Sequence, residues 1–357
     1  VSEQTPPPSV QAKTLNVLET VLIGIGGGAL FYWAQLPGGL ITGAMVAVAA
    51  AGLSGRKMGL PQPLAHVILM TLGLSLGSMV SPAMIHNLSA YPVTIAMLAA
   101  ATFCSTFGSS YYLQWVHGWD RTSALLAGSP GALSQIIMLA TERKADVPGI
   151  AVVQIMRVII LTGAVPMLLA ASGMMGHGPL PSRGPIATPL ALAELAAVAV
   201  AAALLLRWLK FPAAWMFGAM LGSSVLHGAG LVEGTLPQWA YIAALTGIGT
   251  LIGSRFGAIR LRTILSHLGA ALGSFAVAIA ISSVFVTAIA LTMHVKFSDV
   301  VVAFAPGAMD AMLALALTLH VDPVFVGAHH LSRFIFVSIA TPGIVHLFGR
   351  AADDLDD

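Results

Sequence analysis

Residues 15–171 and 188–349 carry the same landmarks in the same order. Glu19, Trp33 and Pro37 recur 175 residues later as Glu194, Trp208 and Pro212, and Gly43-Ala44-Met45 recurs as Gly218-Ala219-Met220. From Leu60-Pro61-Gln62 onward the spacing is 176, with Leu236-Pro237-Gln238 as the partner. Gly73, Gly77 and Ser78 then match Gly249, Gly253 and Ser254; Pro130-Gly131-Ala132 matches Pro306-Gly307-Ala308. Asp146, Arg157 and Pro166 match Asp322, Arg333 and Pro342. Chance matches among Ala and Leu are expected in an apolar chain, but not among Pro, Arg and Asp at one spacing. A repeat of this kind fixes the architecture before any single element is considered. The Gly- and Pro-rich stretch 172–187 reads as the linker between the halves, and 1–14 and 350–357 as polar and acidic solvated tails. The first residues lack the charged start and apolar middle of a secretory signal.

Composition decides the class of the duplicated unit. Of 357 residues, 57% are hydrophobic and 8% charged, against about a quarter charged in soluble domains. An all-α membrane protein is expected. A β-barrel would alternate polarity in pieces of about ten residues, whereas the apolar stretches here are about 17–25 residues long. Half one offers stretches at 15–35, 38–54, 63–81, 90–113 and 148–171. Half two offers 190–209, 212–230, 238–254, 263–293 and 324–348. One further segment per half, 121–141 and 298–319, is split by Ser129-Pro130-Gly131 and Ala305-Pro306-Gly307. Each piece is about 8–12 residues, or ~12–18 Å of helix, enough to reach mid-membrane and return. A broken re-entrant hairpin is the expectation.

Positive residues mark cytoplasmic loops. In half one they follow the second stretch (Arg56, Lys57), the fourth (Arg121) and the split segment (Arg143, Lys144). In half two they follow the first (Arg207, Lys210) and the third (Arg255, Arg260, Arg262), with Arg183 and Lys296 left on the other side. The parity flips, so equivalent loops face opposite sides. Five crossings plus a hairpin per half satisfy this; six crossings would not. Two inverted repeats with a broken helix at the same place are a common build for secondary transporters. The expected location is the bacterial inner membrane, with several crossings and both termini cytoplasmic.

The candidate site follows from the breaks. Irregular backbone at membrane depth is tolerated only where protein or a water-filled cavity satisfies it, so Pro130, Gly131, Pro306 and Gly307 are candidate substrate contacts. Ser129, Ser134 and Gln135 would add neutral hydrogen bonds. Asp310, opposite Ser134 in the repeat, is an ionisable group inside a membrane segment and is expected to carry a coupling ion, with Arg333, His329 or His330 as partner. Its plainer reading is a first-turn carboxylate on the second half-helix. Arg157 and Arg333 stand eleven residues after Asp146 and Asp322. Two readings stay open for them: an arginine reaching back toward that aspartate, or an anion ligand beside the hairpin. His329 and His330 are assigned to the coupling ion and not to a metal, because neighbours on a helix point about 100° apart. The lone Cys104 allows no cysteine cluster. No metal, cofactor or enzyme activity is expected.

GSPGALSQIIMLA…ADVPGIAVVQIMRV and FAPGAMDAMLALAL…VDPVFVGAHHLSRF resemble the paired motifs of the AbrB-family membrane proteins, over nearly the whole of 15–349. That family is similar in design to the cation–proton antiporter and anion transporter group, which implies a transporter. Its members are often labelled ammonia monooxygenases or regulators of gene expression, and share only a name with small DNA-binding regulators. This chain departs from the family pattern at Ala132 and Ala308, where glycine is frequent, and at Gln135, where an acid is common. The last departure argues against an ion site in both hairpins.

The reading is therefore an ion-coupled secondary transporter of a small organic anion or zwitterion, using protons or sodium. One bundle would carry both hairpins past a scaffold made from the first two helices of each half. The alternative is a membrane protein that affects gene expression indirectly. A net charge of +2 gives no nucleic-acid footprint. A membrane oxidase stands third, since the histidines lack the spacing of a copper or iron site. Partners are the bilayer and a small molecule, and self-association is left open.

Overall fold

A computed structural model describes residues 10–79, 91–131, 133–173, 185–319 and 321–348. Arg183, Ala132 and both solvated tails apart from residues 10–14 lie outside the described residues. Fourteen α-helices and one 3-10 turn form there, with no strand among them. In half one they are α1 (Val10–Trp33), α2 (Gly39–Leu53), α3 (Gln62–Gly77), α4 (Tyr91–His117), α5 (Arg121–Gly128), α6 (Leu133–Glu142) and α7 (Val147–Ala171). In half two they are α8 (Pro189–Trp208), α9 (Ala214–Gly228), α10 (Gln238–Ser254), α11 (Leu261–Thr292), α12 (Phe297–Phe304), α13 (Met309–Leu319) and α14 (Pro323–Phe348).

Every expected apolar stretch is a helix, and both split segments are two short helices. Six helices are long and apolar enough to cross a membrane: α1, α4, α7, α8, α11 and α14. The stretches read as full-length crossings in α2, α3, α9 and α10 are shorter than that, at 15, 16, 15 and 17 residues. Their ends explain the difference. Gly38 starts α2 with φ 65°, and Ala213 starts α9 in the same left-handed conformation with φ 46°. Pro61 and Pro237 stand at the N-caps of α3 and α10.

The helices gather into two bundles. One contains α1, α2, α3, α8, α9 and α10; the other contains α4 to α7 and α11 to α14. The expected scaffold of two helices per half is thus a bundle of three per half. Glycine brings its backbones together, as small residues do where lipid supplies no hydrophobic drive. A Cβ on Gly249 would lie 2.2 Å from the Ile41 carbonyl oxygen, and one on Gly253 2.5 Å from that of Met45. A Cβ on Gly73 would lie 2.2 Å from the Met216 oxygen, and one on Gly77 2.4 Å from that of Met220. These residues are repeat counterparts, so each contact is the other with the halves exchanged. Both pairs ascend together: α2 runs parallel to α10, and α3 to α9.

The direction of α3 is fixed by the loop before it. Gly52, at the end of α2, and Met58 both meet Gly257, and the Gly59 N–H donates to Thr20 Oγ1 at 3.2 Å. The chain is therefore still at the exit of α2 when α3 begins, and α3 returns antiparallel to α2.

Candidate functional site

Each hairpin ends its first half-helix with carbonyls that have no partner in the helix. In half two, Arg333 on α14 supplies the donors. Its Nη1 donates to Ala305 O at 2.6 Å and its Nη2 to Gly307 O at 2.9 Å. The same Nη2 donates to His330 Nδ1 at 2.5 Å, and His330 Nε2 donates to Val302 O at 3.0 Å. Arg333 is only a donor and Val302 O only an acceptor, so His330 is held as the neutral Nε2–H tautomer. In half one, the residues at the same repeat positions do the same work. Gln154 Nε2 donates to Leu126 O at 3.0 Å, Ala127 O at 3.4 Å and Ser129 O at 2.8 Å. Arg157 donates to Gln154 Oε1 and, at 3.3 Å, to Ser129 O. Both arginines are buried, at 6% and 4% exposure, and neither has a carboxylate partner among the described residues. A cation at the negative end of a half-helix also suits its dipole.

The arginine-to-aspartate reading is corrected by these contacts. Asp146 caps α7 by accepting from Gly149 N–H at 3.1 Å and pairs with His267 at 3.3 Å. Asp322 caps α14 by accepting from Val324 and Phe325 N–H at 2.8 and 3.1 Å. Each aspartate stays at its helix start, and each arginine turns to the hairpin.

A cavity of about 370 Å³ opens between the two tips. Pro130, Gly131, Pro306 and Gly307 line it, with Arg157, Arg333, His330 and Asp310. Leu69, Ala213 and Ile252 close it from the other bundle, together with Arg255. Arg255 opens the 3-10 turn Arg255–Ala258 after α10, and its Nη2 donates to Asp310 Oδ2 at 3.1 Å. The other oxygen of Asp310 accepts from the Ala311 N–H at 3.0 Å, within the first turn of α13. The partner of Asp310 is thus Arg255 and none of the three residues expected. In the sequence Arg255 reads as a loop charge; the signal that sets it apart is Met79 at its repeat position.

Other candidate residues fall elsewhere. His329 accepts at Nε2 from Thr94 of α4 at 2.8 Å and donates from Nδ1 to Phe325 O at 2.7 Å, away from the cavity. The Ser129 hydroxyl meets Thr341 at 3.1 Å, and Gln135 accepts from Ser338 at 2.8 Å, so both face α14. The Ser134 side chain lies outside what is described. Among the described residues, no three His, Cys, Asp or Glu side chains converge as metal ligands do.

The arrangement is chemically a small chamber whose mainly apolar lining includes three guanidinium groups and one carboxylate. One side-chain N–H of Arg157, Nε, is buried without a partner. The chamber suits an anion.

Comparison with known proteins places the chain. A Bacillus subtilis (strain 168) protein named "Uncharacterized protein YhjN" is 26% identical over 339 residues, covering 87% of this chain and 84% of its own length. The Escherichia coli (strain K12) protein named "Putative regulator AbrB" is 25% identical over 350 residues, covering 97% of this chain and 98% of its own. No solved structure matches. The family described as "Transition state regulatory protein AbrB" matches residues 40–349, nearly the whole of both halves, and the chain belongs to this AbrB family.

Proposed function

We propose that the chain is an ion-coupled secondary transporter of a small organic anion or zwitterion in the bacterial inner membrane. Its two halves are inverted repeats of five crossings and one re-entrant hairpin each, two of the crossings in each half being the short helices α2, α3, α9 and α10, which would cross where the surrounding protein thins the apolar layer. The direction of the frame helices supports the inversion: α9 runs parallel to α3, which runs antiparallel to α2, so α2 and its counterpart α9 point oppositely. A pair of broken helices meeting at one chamber with charged groups in its lining is the usual place for a substrate in such folds. The observation that carries the reading is the charge of that chamber. Arg157 and Arg333 are buried there with no carboxylate partner, and a bound anion would supply the missing charge. The bundle of α4–α7 and α11–α14 would move the chamber against the glycine-packed bundle.

Uptake into proteoliposomes tests this against a panel of mono-, di- and tricarboxylates and amino acids, with a proton or sodium gradient imposed. Accumulation of at least one anion that collapses with the gradient is the expected result. Silence across the whole panel, with the protein folded and oriented, would remove the reading.

A second reading is favoured by the names of the family and of one relative: a membrane protein whose state affects gene expression. An effect on expression that persists in an Asp310→Asn form without transport supports it. An effect lost together with transport returns it to the transporter.

A further inference from the structure

The two hairpins differ in one respect that the transporter reading leaves unused. The second is tied to the opposite bundle by an ion pair, and the counterpart positions in the first half, Met79 and Ser134, carry no charge. Arg255 belongs to the glycine-packed bundle and Asp310 to the mobile arm, with 3.1 Å between them. Among the described residues, the other contacts between oppositely charging groups join α1 to the loop after α2 (Glu19 and Arg56) and the start of α7 to α11 (Asp146 and His267, ionic only with the imidazole protonated). The repeat counterparts of Arg255 and Asp310 are Met79 and Ser134. In an inverted repeat that alternates its access, the halves exchange conformations. The opposite-facing state then puts Ser134 toward Met79 and takes Asp310 away from Arg255.

We propose that Arg255–Asp310 is a one-sided latch between the two bundles, and that the ion which opens it is a proton bound by Asp310. This rests on the transporter reading above. Separating the pair leaves a carboxylate in the chamber without its partner, and such a charge is costly away from water. A proton on Asp310 removes the charge and lets the arm leave. Sodium fits the place poorly. Hard cations need a cage of oxygens, whereas the charged and titratable groups that share the chamber with Asp310 are Arg255 from the 3-10 turn, Arg157 from α7, and His330 and Arg333 from α14. One carboxylate is no such cage, while a proton binds a single carboxylate oxygen and needs none. The latch also gives the carrier a preferred resting side, since only one of the two end states is held by an ion pair.

The test reads access to the chamber without needing its substrate. Cys104 is exposed and Ala308 lines the chamber, so the probe is the double variant Cys104→Ser, Ala308→Cys. A membrane-impermeant maleimide is applied to right-side-out and inside-out vesicles, in acidic and in mildly alkaline buffer, with sodium or with potassium. The expected result is labelling from one face in alkaline buffer and from both in acid, the same in either salt. Asp310→Asn should label from both faces at either pH, and Arg255→Gln should match it. Asp310→Glu should keep the response to pH. Access that still follows pH in Asp310→Asn overturns the latch, as does access that follows sodium. If every variant labels from one face only under all conditions, the transporter reading fails first; a cysteine that changes face independently of Asp310 sinks the latch and leaves the transporter standing.

Discussion

At the first hairpin the end of the half-helix hangs mainly on an amide: Gln154 serves three carbonyls, and Arg157 shares one of them. At the second hairpin the load has moved to the guanidinium. Arg333 serves the carbonyls of Ala305 and Gly307, and His330 serves that of Val302. The backbone problem is the same in both halves, because any helix that stops inside a low-dielectric region leaves carbonyls to satisfy. The answers differ in how much positive charge is left for other tasks. Arg157 is the more available of the two, with its Nε–H unpartnered.

The largest expected effects follow from that division. Arg333→Leu removes two charge-assisted bonds to carbonyls, and at about 1.5–3 kcal/mol each the loss is roughly 3–6 kcal/mol. Arg157→Leu removes one such carbonyl bond, and Gln154 remains. Thermal unfolding in detergent should therefore rank Arg333→Leu well below Arg157→Leu, with Gln154→Leu the more damaging variant in half one. Equal losses for the two arginines would break the comparison.

The same division predicts where an anion is felt. On the transporter reading, Arg157→Lys should weaken binding of the anion found in the uptake panel about tenfold, or ~1.4 kcal/mol, with little change in melting temperature. In Arg333→Lys both quantities should fall together. Titration calorimetry beside thermal unfolding separates the two cases. Uncoupled behaviour at Arg333 would show that capping and binding are not shared there.

A smaller contrast concerns the turns before α2 and α9. Gly38 adopts φ 65° freely, while Ala213 holds φ 46° with a side chain. Ala213→Gly should relieve up to about 1–2 kcal/mol of left-handed strain. Gly38→Ala should add a similar strain, worsened by Pro166, whose Cγ lies 3.3 Å from where the methyl would go. Opposite signs in chemical denaturation are expected. The least effect belongs to the exposed pair Glu19–Arg56, which has no counterpart in half two, where Leu231 stands opposite Arg56. Arg56→Ala should cost less than about 1 kcal/mol.

Most of the fold was readable because membrane helices are announced by long apolar runs and their breaks by proline and glycine. The pairs Pro130-Gly131 and Pro306-Gly307 mark the breaks between the short helices that end at Gly128 and Phe304 and those that start at Leu133 and Met309. What escaped was every contact made to backbone. Arg157 and Arg333 share a spacing with Asp146 and Asp322, and spacing suggests side-chain partners; the carbonyls that they bind belong to residues 26 to 28 positions earlier and carry no letter of their own. Arg255 was hidden differently. A cation just past an apolar run looks like a loop charge, and only the fold turns it toward Asp310. The three-helix frame escaped because α3 and α10 resemble ordinary crossings in composition, and their bond to α9 and α2 depends on which glycines face which oxygens.

That frame has a consequence for how such a protein can diversify. Where main chain rests against main chain, exchange of side chains has little to adjust, and at Gly73 or Gly249 even one methyl collides with a neighbouring oxygen. On the transporter reading, new preferences for the bound molecule have to be written around the hollow instead, in the few positions where neither half copies the other.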